Sequence, residues 1–349
     1  MTSEHPTARL DIDLGALLHN YRALQQKCPG AEIAPVVKAD AYGLGMAAIA
    51  PHLARYGART FFVARLDEGV ALRHTLPEAV IYVLDGLAGD PQAFQTHKLR
   101  PVLNSAEQYA TWRQGPADIE AALHIDTGMN RLGVRPDDLA ALPKTRRLSL
   151  VMSHLACGDE RDHPMNARQL TAFRDASAAF DAPKSLANSA GAFLGPDYHF
   201  DLIRPGISLY GGGPFGVAHP DIQPVARLSA RILQIRPLEP CETVGYGATF
   251  EAPEPMQLAT IGIGYADGLL RSFANNGFVT VNGERRRLTG RVSMDVCSLD
   301  VTGLDLQVGD EVEILGPAQN LDAVAAASGT IGYEWLTRLG PRIPRSYRA

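Results

Sequence analysis

Lys38 is the residue whose setting in the sequence best suits chemistry. It comes directly after the apolar run from Ala34 to Val37, and a tyrosine and two glycines follow it within the next seven positions. An amine at the end of a buried strand is partly desolvated, which lowers its pKa and makes it available as a nucleophile or base. Lys38 is therefore a candidate to form an imine with a carbonyl group. The alternative is a lysine that only extends into water.

Further polar and glycine residues lie where later predicted strands end. They are Arg131, His154, Asn188, Ser189, Arg204 and Gly206, and the apolar Ile207 follows the glycine. At Gly206 we expect a helix start whose backbone N–H groups can receive an anion. Taken singly, His154 could be a core histidine and Ser189 a helix N-cap. Together the residues predict a cationic rim that accepts a phosphate beside a lysine, and pyridoxal phosphate is the cofactor that requires both.

The elements that must position these residues alternate between short apolar runs and helical stretches. A helix is predicted from Asp13 onward, with Asp13 as its N-cap. Eight runs have the length of strands: 33–37, 61–64, 80–84, 101–103, 121–125, 148–153, 185–187 and 202–203. Pieces such as 66–74 and 167–180 have the period of crossover helices, which implies parallel strands. The fold class is therefore α/β, with a (β/α)8 TIM-type barrel over residues 7–224.

After Pro224 the pattern changes to a period of two, as in 226–232 and 311–314. Asn282-Gly283 lies between two apolar runs and predicts a tight hairpin. A C-terminal, mostly-β domain is thus expected over residues 225–349. The opening residues 1–12 could pack on that domain, because residues 9–12 read as a strand.

Composition excludes several classes of protein. The formal net charge of −5 and the scattered basic residues do not match a nucleic-acid-binding surface. No apolar run is long enough to span a membrane, and the N-terminus does not resemble a signal peptide, so we expect a cytoplasmic protein. The four cysteines are far apart and show no metal-ligand spacing, so neither a disulfide framework nor a metal site is expected.

Motifs in order along nearly the whole chain resemble those of the alanine racemase family, the fold type III pyridoxal-phosphate enzymes. The matching segments are 37–43, 126–133, 153–154, 188–189, 204–207, 244–247, 264–268, 293–295 and 333–334. The resemblance implies a barrel that binds pyridoxal phosphate and a β domain that completes the active site of a homodimer. It also implies the interconversion of L-alanine and D-alanine by two bases acting on opposite faces of the cofactor.

The same resemblance implies a role for each matched residue. Lys38 carries the cofactor and serves as one base, and Tyr246 of the neighbouring subunit is the other. Arg204 faces the pyridine nitrogen, and His154 and Arg204 lie behind the Tyr246 phenol. Cofactor contacts are expected at Lys38, Tyr42, His154, Asn188, Ser189, Arg204, Gly206, Ile207 and Tyr333. Substrate contacts are expected at Arg131 and Met294, with Met129 near the carboxylate and Tyr265 and Tyr333 narrowing the entrance.

One position departs from the family pattern. Two residues before Asp126, many family members have a lysine that becomes carbamylated and positions the active-site arginine, whereas this sequence has His124. A carbamate is therefore not expected, and another anion or water could orient Arg131.

Three other functions are compatible with parts of the pattern. A broad-specificity or serine-selective racemase would share the residues above and differ in pocket width. A fold-related decarboxylase typically has a carboxylate at the pyridine nitrogen, where this chain has Arg204. A non-catalytic pyridoxal-phosphate carrier would resemble the barrel alone and would not need Tyr246 or Met294.

Overall fold

The computed structural model describes residues 6–87, 91–143 and 146–349. The chain divides into two units, one formed by Leu18–Leu209 and the other by Met1–Leu17 together with Tyr210–Ala349. Within the described ranges, none of the helices combines the length and the apolar character needed to cross a bilayer.

The chain opens with strand β1, Ala8–Asp13, and the helix Leu14–Lys27. The Asp13 Oδ1 atom accepts a hydrogen bond from the backbone N–H of Ala16 at 2.8 Å. This bond satisfies one of the N–H groups that the first turn of a helix leaves without a partner. The predicted helix and its N-cap are both confirmed.

Eight short strands of the Leu18–Leu209 unit are parallel, as predicted. They are β2 Glu32–Ile33, β3 Thr60–Val63, β4 Val80–Val83, β5 Arg100–Leu103, β6 Ala122–His124, β7 Leu150–Met152, β8 Lys184–Ser185 and β9 Leu202–Ile203. Strands β3 to β8 pair in sequence order, and β2 pairs with β9. Strands β3, β6 and β7 are buried at every residue. Continuous apolar strands of this kind are typical of sheets covered on both faces.

Backbone hydrogen bonds close these strands into a ring. On one side, the Val37 N–H donates to Phe62 O at 2.8 Å, which joins the chain after β2 to β3. On the other side, the Arg204 N–H donates to Ala187 O at 2.9 Å, which joins the chain after β9 to β8. The predicted TIM-type barrel is confirmed, and the residues that follow its strands share one rim.

Apart from the left-handed segment Lys38–Tyr42, the α-helices of the barrel unit after the first one are Met46–Arg55, Leu66–Thr75, Pro91–Thr96, Ala106–Gln114, Pro164–Ser177 and Gly191–Leu194. Pro136–Ala141 and Pro196–Tyr198 are 3-10 helices. The expected helix start at Gly206 is wrong. The chain forms a turn there, in which the Leu209 N–H donates to Gly206 O at 2.9 Å.

The other unit is built mainly of antiparallel strands, which confirms the predicted β domain. Its strands after β1 are β10 Ala226–Leu238, β11 Thr243–Val244, β12 Phe250–Glu251, β13 Met256–Ile261, β14 Phe278–Val281, β15 Glu284–Thr289, β16 Cys297–Asp300, β17 Glu311–Leu315 and β18 Arg345–Arg348. Its α-helices are Phe273–Asn276, Leu321–Ala327 and Gly332–Thr337, and its 3-10 helices are Tyr246–Ala248 and Tyr265–Asp267.

The long strand β10 closes the sheet of this unit. The strands pair in the order β13-β16-β15-β14-β17-β10. The first half of β10 pairs with β1 and β17, and its second half pairs with β13, the strand at the other end of this order. The first strand of the chain therefore pairs with β10, and also with β18 in parallel. The predicted hairpin joins β14 and β15, with positive φ angles of 49° at Asn282 and 81° at Gly283. Positive angles at both positions are those of a type I′ turn.

The N-cap of the first helix provides a test of this part of the fold. We expect Asp13→Ala to lower the free energy of unfolding by about 1 kcal/mol, because the Ala16 N–H loses its acceptor. The matched control Asp13→Asn retains a capping oxygen and should lie within a few tenths of a kcal/mol of the unaltered protein. Guanidinium denaturation measures both values, and an equal loss in the two variants would contradict a capping role.

Candidate functional site

Lys38 begins a backbone turn of the left-handed helical kind. The φ angles of Ala39, Asp40, Ala41 and Tyr42 are 52°, 53°, 52° and 58°. Non-glycine residues in this conformation cost roughly 1–2 kcal/mol each, because Cβ approaches the following carbonyl oxygen. Strain of this kind persists only where surrounding contacts hold it, and it is common at functional sites.

Two carboxylates hold the turn. Glu68 accepts the Ala39 N–H at 2.6 Å on one oxygen, and the N–H groups of Ala64 and Arg65 at 2.7 and 3.1 Å on the other. Asp40 accepts the Met46 N–H at 2.7 Å. Glu68 thus ties the residue after Lys38 to the end of β3, which fixes where the lysine side chain starts.

The half-buried Lys38 amine is surrounded by charge of both signs. Burial is the main cause that lowers its pKa, and the positive charge of Arg131 lowers it further. Glu68 and Asp85 act in the opposite direction. The lowered pKa increases the fraction of Lys38 that is an unprotonated amine near neutral pH, which agrees with the sequence prediction for this residue.

Tyr42, Ser189 and Gly206 come together at the turn that follows β9. The Ser189 Oγ atom accepts the N–H groups of Gly206 and Ser208 at 2.9 and 3.3 Å. A Cβ atom added at Gly206 would lie 2.2 Å from the Tyr42 hydroxyl oxygen, so only glycine allows this approach. The buried Ser208 Oγ atom has no hydrogen-bond partner among the described residues. Hydroxyl groups clustered against a glycine turn fit a phosphate group.

Arg204, which directly follows β9, is buried, with 4% of its surface exposed. Its guanidinium donates hydrogen bonds to the Ser185 hydroxyl and to the Ser153 carbonyl oxygen, and it lies 6.0 Å from the centre of the Phe62 ring. Burial lowers the pKa of Arg204 to about 9, which still leaves it charged at neutral pH. These contacts fix the direction of the guanidinium plane.

His154 accepts a hydrogen bond from Arg204, since the Nη2 atom of Arg204 is 3.4 Å from the histidine Nδ1 atom and a guanidinium can only donate. Burial and then the charges of Arg204 and Arg131 hold the pKa of His154 well below its usual value. His154 is therefore neutral near pH 7, with its proton on Nε2.

Arg131 lies in a loop that the Asp126 carboxylate organises. One Asp126 oxygen accepts the N–H groups of Gly128, Met129 and Asn130 at 3.0, 2.9 and 3.1 Å. The Arg131 side chain is exposed. Its charge lowers the pKa values of Lys38, His124 and His154, so it acts on the same rim.

Other predicted residues are placed differently. Asn188 accepts the Gly191 N–H at 2.9 Å, within the barrel unit. Tyr246, Met294 and Tyr333 belong to the unit that contains Tyr210–Ala349. Their side chains are exposed, with exposed fractions of 72%, 52% and 39%. Tyr246 follows Gly245 and precedes Gly247, whose φ angles are 72° and 76°.

Sequence reasoning missed Glu68, Asn104 and Ser208. Asn104 follows β5 and contacts His124, with its Oδ1 atom 2.8 Å from the histidine Nδ1 atom. It obeys the rule that identified the other rim residues, a polar side chain just after a strand. Glu68 stands three residues after Arg65 at the start of a helix, a position that carries only a capping signal. Ser208 gives no signal in the sequence.

Comparisons with known proteins cover nearly the whole chain. The family model for the alanine racemase N-terminal domain matches residues 12–214, and the model for the alanine racemase C-terminal domain matches residues 225–347. The chain is 48% identical to an alanine racemase of Jannaschia sp. (strain CCS1), over 97% of this chain and 98% of that protein. It is 46% identical to a catabolic alanine racemase of Agrobacterium fabrum, over 98% and 92% of the two chains.

A solved structure gives the same result for the fold. The alanine racemase of Bartonella henselae, crystallised with covalently bound pyridoxal phosphate, superposes with a TM-score of 0.92 at 39% identity. The superposition covers 98% of this chain and 99% of that one.

The contact between Glu68 and the Lys38 turn can be tested through the pKa of the lysine. Glu68→Gln removes a negative charge that favours the ammonium form, so the pKa of Lys38 should fall further. The pH dependence of Lys38 modification by an amine-selective reagent, measured on the cofactor-free protein and quantified by mass spectrometry, reports this pKa. Asp67→Asn removes the neighbouring carboxylate as a control and should leave the profile unchanged. A rise in the pKa of Lys38 in Glu68→Gln would mean that the turn loosened into water, and would refute a purely electrostatic effect.

Proposed function

The chain belongs to the alanine racemase family, and from this premise we propose which of its residues perform the reaction. The enzyme interconverts L-alanine and D-alanine with pyridoxal phosphate as its cofactor. We assign cofactor binding to the barrel and the second base to the β domain. The observation that carries the assignment is Lys38, a half-buried amine of lowered pKa on a strained turn at the barrel rim.

The residues at the rim fit the cofactor. Lys38 would bind its aldehyde carbon, and Arg204 would lie at its pyridine nitrogen. Hydroxyl and backbone groups would hold its phosphate, and we assign this role to Tyr42, Ser189, Gly206, Ile207 and Tyr333. The glycine turn, the Ser189 hydroxyl and the buried Ser208 hydroxyl without a protein partner support this placement. We also retain His154 and Asn188 as residues near the cofactor.

When bound, pyridoxal phosphate supplies an electron-withdrawing ring that acidifies the α-proton of an amino acid attached to it. Arg204 controls how strongly the ring withdraws electrons. A guanidinium donates hydrogen bonds and stays charged, so it cannot pass a proton to the pyridine nitrogen. Arg204 would therefore leave that nitrogen unprotonated and weaken the electron withdrawal that the cofactor supplies. Arg204 thereby favours return of the proton to the α-carbon over side reactions.

Proton transfer requires a base on each side of the substrate. Once the amine of Lys38 is free, it can remove or return the proton at one face, because burial lowers its pKa and so favours the unprotonated form. We assign the opposite face to Tyr246 of the partner subunit. A phenol has a pKa of about 10 in water and needs help to act as a base. The Nε2–H group of neutral His154, fixed by Arg204, is suited to donate a hydrogen bond to a phenolate.

We further propose that the active unit is a homodimer. Tyr246 and Met294 have exposed fractions of 72% and 52% in a single chain. A base needs a defined position within hydrogen-bond reach of the proton it transfers, and a ring in open water has none. A second copy of the chain would supply Tyr246 and Met294 to the barrel rim and cover both side chains.

The substrate is held through its carboxylate and limited by its size. Arg131 offers a guanidinium fork that matches a carboxylate. Met129 belongs to the same loop, where its N–H donates to Asp126, and we assign it a place near that carboxylate. We assign Arg131 and Met294 to substrate binding. Tyr265 and Tyr333 are exposed large rings, and we place them at the entrance, where they would favour a small side chain such as that of alanine.

The two-base assignment predicts a specific isotope result. Incubation with L-alanine in D2O should yield D-alanine that carries deuterium at Cα, because the returned proton comes from a solvent-exchanged base. Lys38→Ala and Tyr246→Phe should each lower this conversion by about 10²–10⁴-fold. Tyr56→Phe removes a hydroxyl from a tyrosine with no assigned role and should not change it.

Chiral chromatography and mass spectrometry of the alanine measure both quantities. Release of carbon dioxide or pyruvate would support a decarboxylase or a transaminase instead. Cofactor binding without any α-proton exchange would identify a carrier. A serine incubation run in parallel separates an alanine racemase from a broad-specificity one by the ratio of the two kcat/KM values.

The role of Arg204 predicts a change in product spectrum. Arg204→Glu places a carboxylate at the pyridine nitrogen, which favours ring protonation and longer survival of negative charge on the substrate. Transamination to pyruvate should therefore rise relative to racemisation, whereas Arg204→Lys should keep it low. The pyruvate-to-D-alanine ratio, measured on variants whose far-UV circular dichroism is unchanged, decides the point. An unchanged ratio in Arg204→Glu would refute the role.

A further inference from the structure

The buried ring of His124 is held in one tautomer. Its Nδ1 atom lies 2.8 Å from the Asn104 Oδ1 atom, and the Asn104 Nδ2 atom donates to Leu84 O at 2.9 Å. A backbone carbonyl oxygen only accepts, so the amide nitrogen of Asn104 must face Leu84 and its oxygen must face the ring. Because an amide oxygen also only accepts, the His124 Nδ1 atom must carry the proton.

The charge state of His124 follows from its surroundings. Burial is the main cause that lowers the pKa of His124, to about 4, and the charges of Arg204 and Arg131 contribute, while Asp126 opposes them. Between pH 5 and 8 the ring is therefore neutral. With its proton on Nδ1, the Nε2 atom keeps an unshared electron pair and can accept a hydrogen bond.

The same two residues anchor the loop of Arg131. The Asn104 carbonyl oxygen accepts the Gly133 N–H at 3.2 Å, and the His124 carbonyl oxygen accepts the Val134 N–H at 2.8 Å. Asp126, two residues after His124, fixes the other end of the loop through the N–H groups of Gly128 and Met129. Arg131 thus lies in a loop whose C-terminal end is hydrogen-bonded to the backbone of Asn104 and His124.

We propose that His124 and Asn104 position Arg131: both residues hold its loop, and when a carboxylate binds, the exposed Arg131 guanidinium turns to donate a hydrogen bond to the His124 Nε2 atom. The inference rests on the proposed function, in which Arg131 binds the substrate carboxylate. Asn104 fixes the tautomer and the loop, and His124 supplies the acceptor. A neutral acceptor directs the guanidinium without cancelling its charge, so Arg131 retains its full attraction for a carboxylate. No carbamate is needed at this position.

The test measures carboxylate binding separately from racemisation. Acetate is titrated into the cofactor-loaded protein and its dissociation constant is followed by the change in cofactor absorbance. His124→Leu removes the acceptor and should weaken acetate binding about tenfold, since a hydrogen bond to a charged group contributes about this much. The KM for alanine should rise by a similar factor, with a smaller change in kcat. His124→Gln offers a side-chain oxygen at similar reach and should restore most of the lost affinity.

Two controls separate positioning from a structural effect. His199 is another buried histidine of the barrel unit, bonded through Nε2 to Ala192 O at 2.9 Å, and His199→Leu should leave the acetate affinity unchanged. Removal of dissolved carbon dioxide should not alter acetate binding to the unaltered protein, because His124 has no amine to carbamylate.

Three results would overturn the inference. One is an unchanged acetate affinity in His124→Leu. Another is an equal loss in His124→Leu and His124→Gln together with lower thermal stability in both, which would show that the ring only fills space. The third is a weaker acetate affinity after dissolved carbon dioxide is removed from the unaltered protein, which would indicate a carbamate. A lack of racemase activity would overturn the proposed function. Acetate binding does not require turnover, so the acetate measurements would still decide the role of His124.

Discussion

An excess of positive charge at one rim of the barrel is the constraint on which the site depends. Arg204 is buried there and Arg131 is exposed, and after burial itself the charges of both arginines lower the pKa values of His124 and His154. Arg131 also lowers the pKa of Lys38. Such a site disfavours further protonation, so its histidines are neutral and the unprotonated form of its lysine is favoured. The same field attracts anions, which is what a phosphate-bearing cofactor and a carboxylate substrate require.

The position of Lys38 depends on a strained backbone turn, and hydrogen bonds within the barrel unit offset the free-energy cost of that strain. Four consecutive non-glycine residues after Lys38 have positive φ angles, at a cost of several kcal/mol by the usual figure of about 1–2 kcal/mol for each. The Glu68 carboxylate accepts three backbone N–H groups, and Asp40 accepts one more. Charged acceptors form stronger hydrogen bonds than neutral ones, so two carboxylates stabilise a turn that backbone propensity opposes.

The sequence predicted the barrel well because its buried parallel strands are continuous apolar runs with helical stretches between them. It predicted the hairpin at Asn282-Gly283 because that turn needs positive φ angles at both positions. It failed at Gly206, where a turn replaces the expected helix start, since a glycine and a short apolar run fit both. The role of Glu68 could not be predicted, because the bond that matters joins it to a residue 29 positions away. Asn104 could have been predicted, because it is a polar residue just after a strand, the same pattern that identified Arg131 and His154.

The neutral ring of His124 has an electrostatic consequence for the whole rim. An anionic group at this place would cancel part of the charge of Arg131, raise the pKa of Lys38 and weaken the pull on carboxylates. A neutral histidine leaves that charge in place, so the same arginine can lower the pKa of the lysine and bind the substrate. Burial makes this possible, because a histidine in water would be partly protonated near pH 6.5 and would repel Arg131. Burial therefore sets the charge of the ring, and the hydrogen bond to Asn104 sets its tautomer.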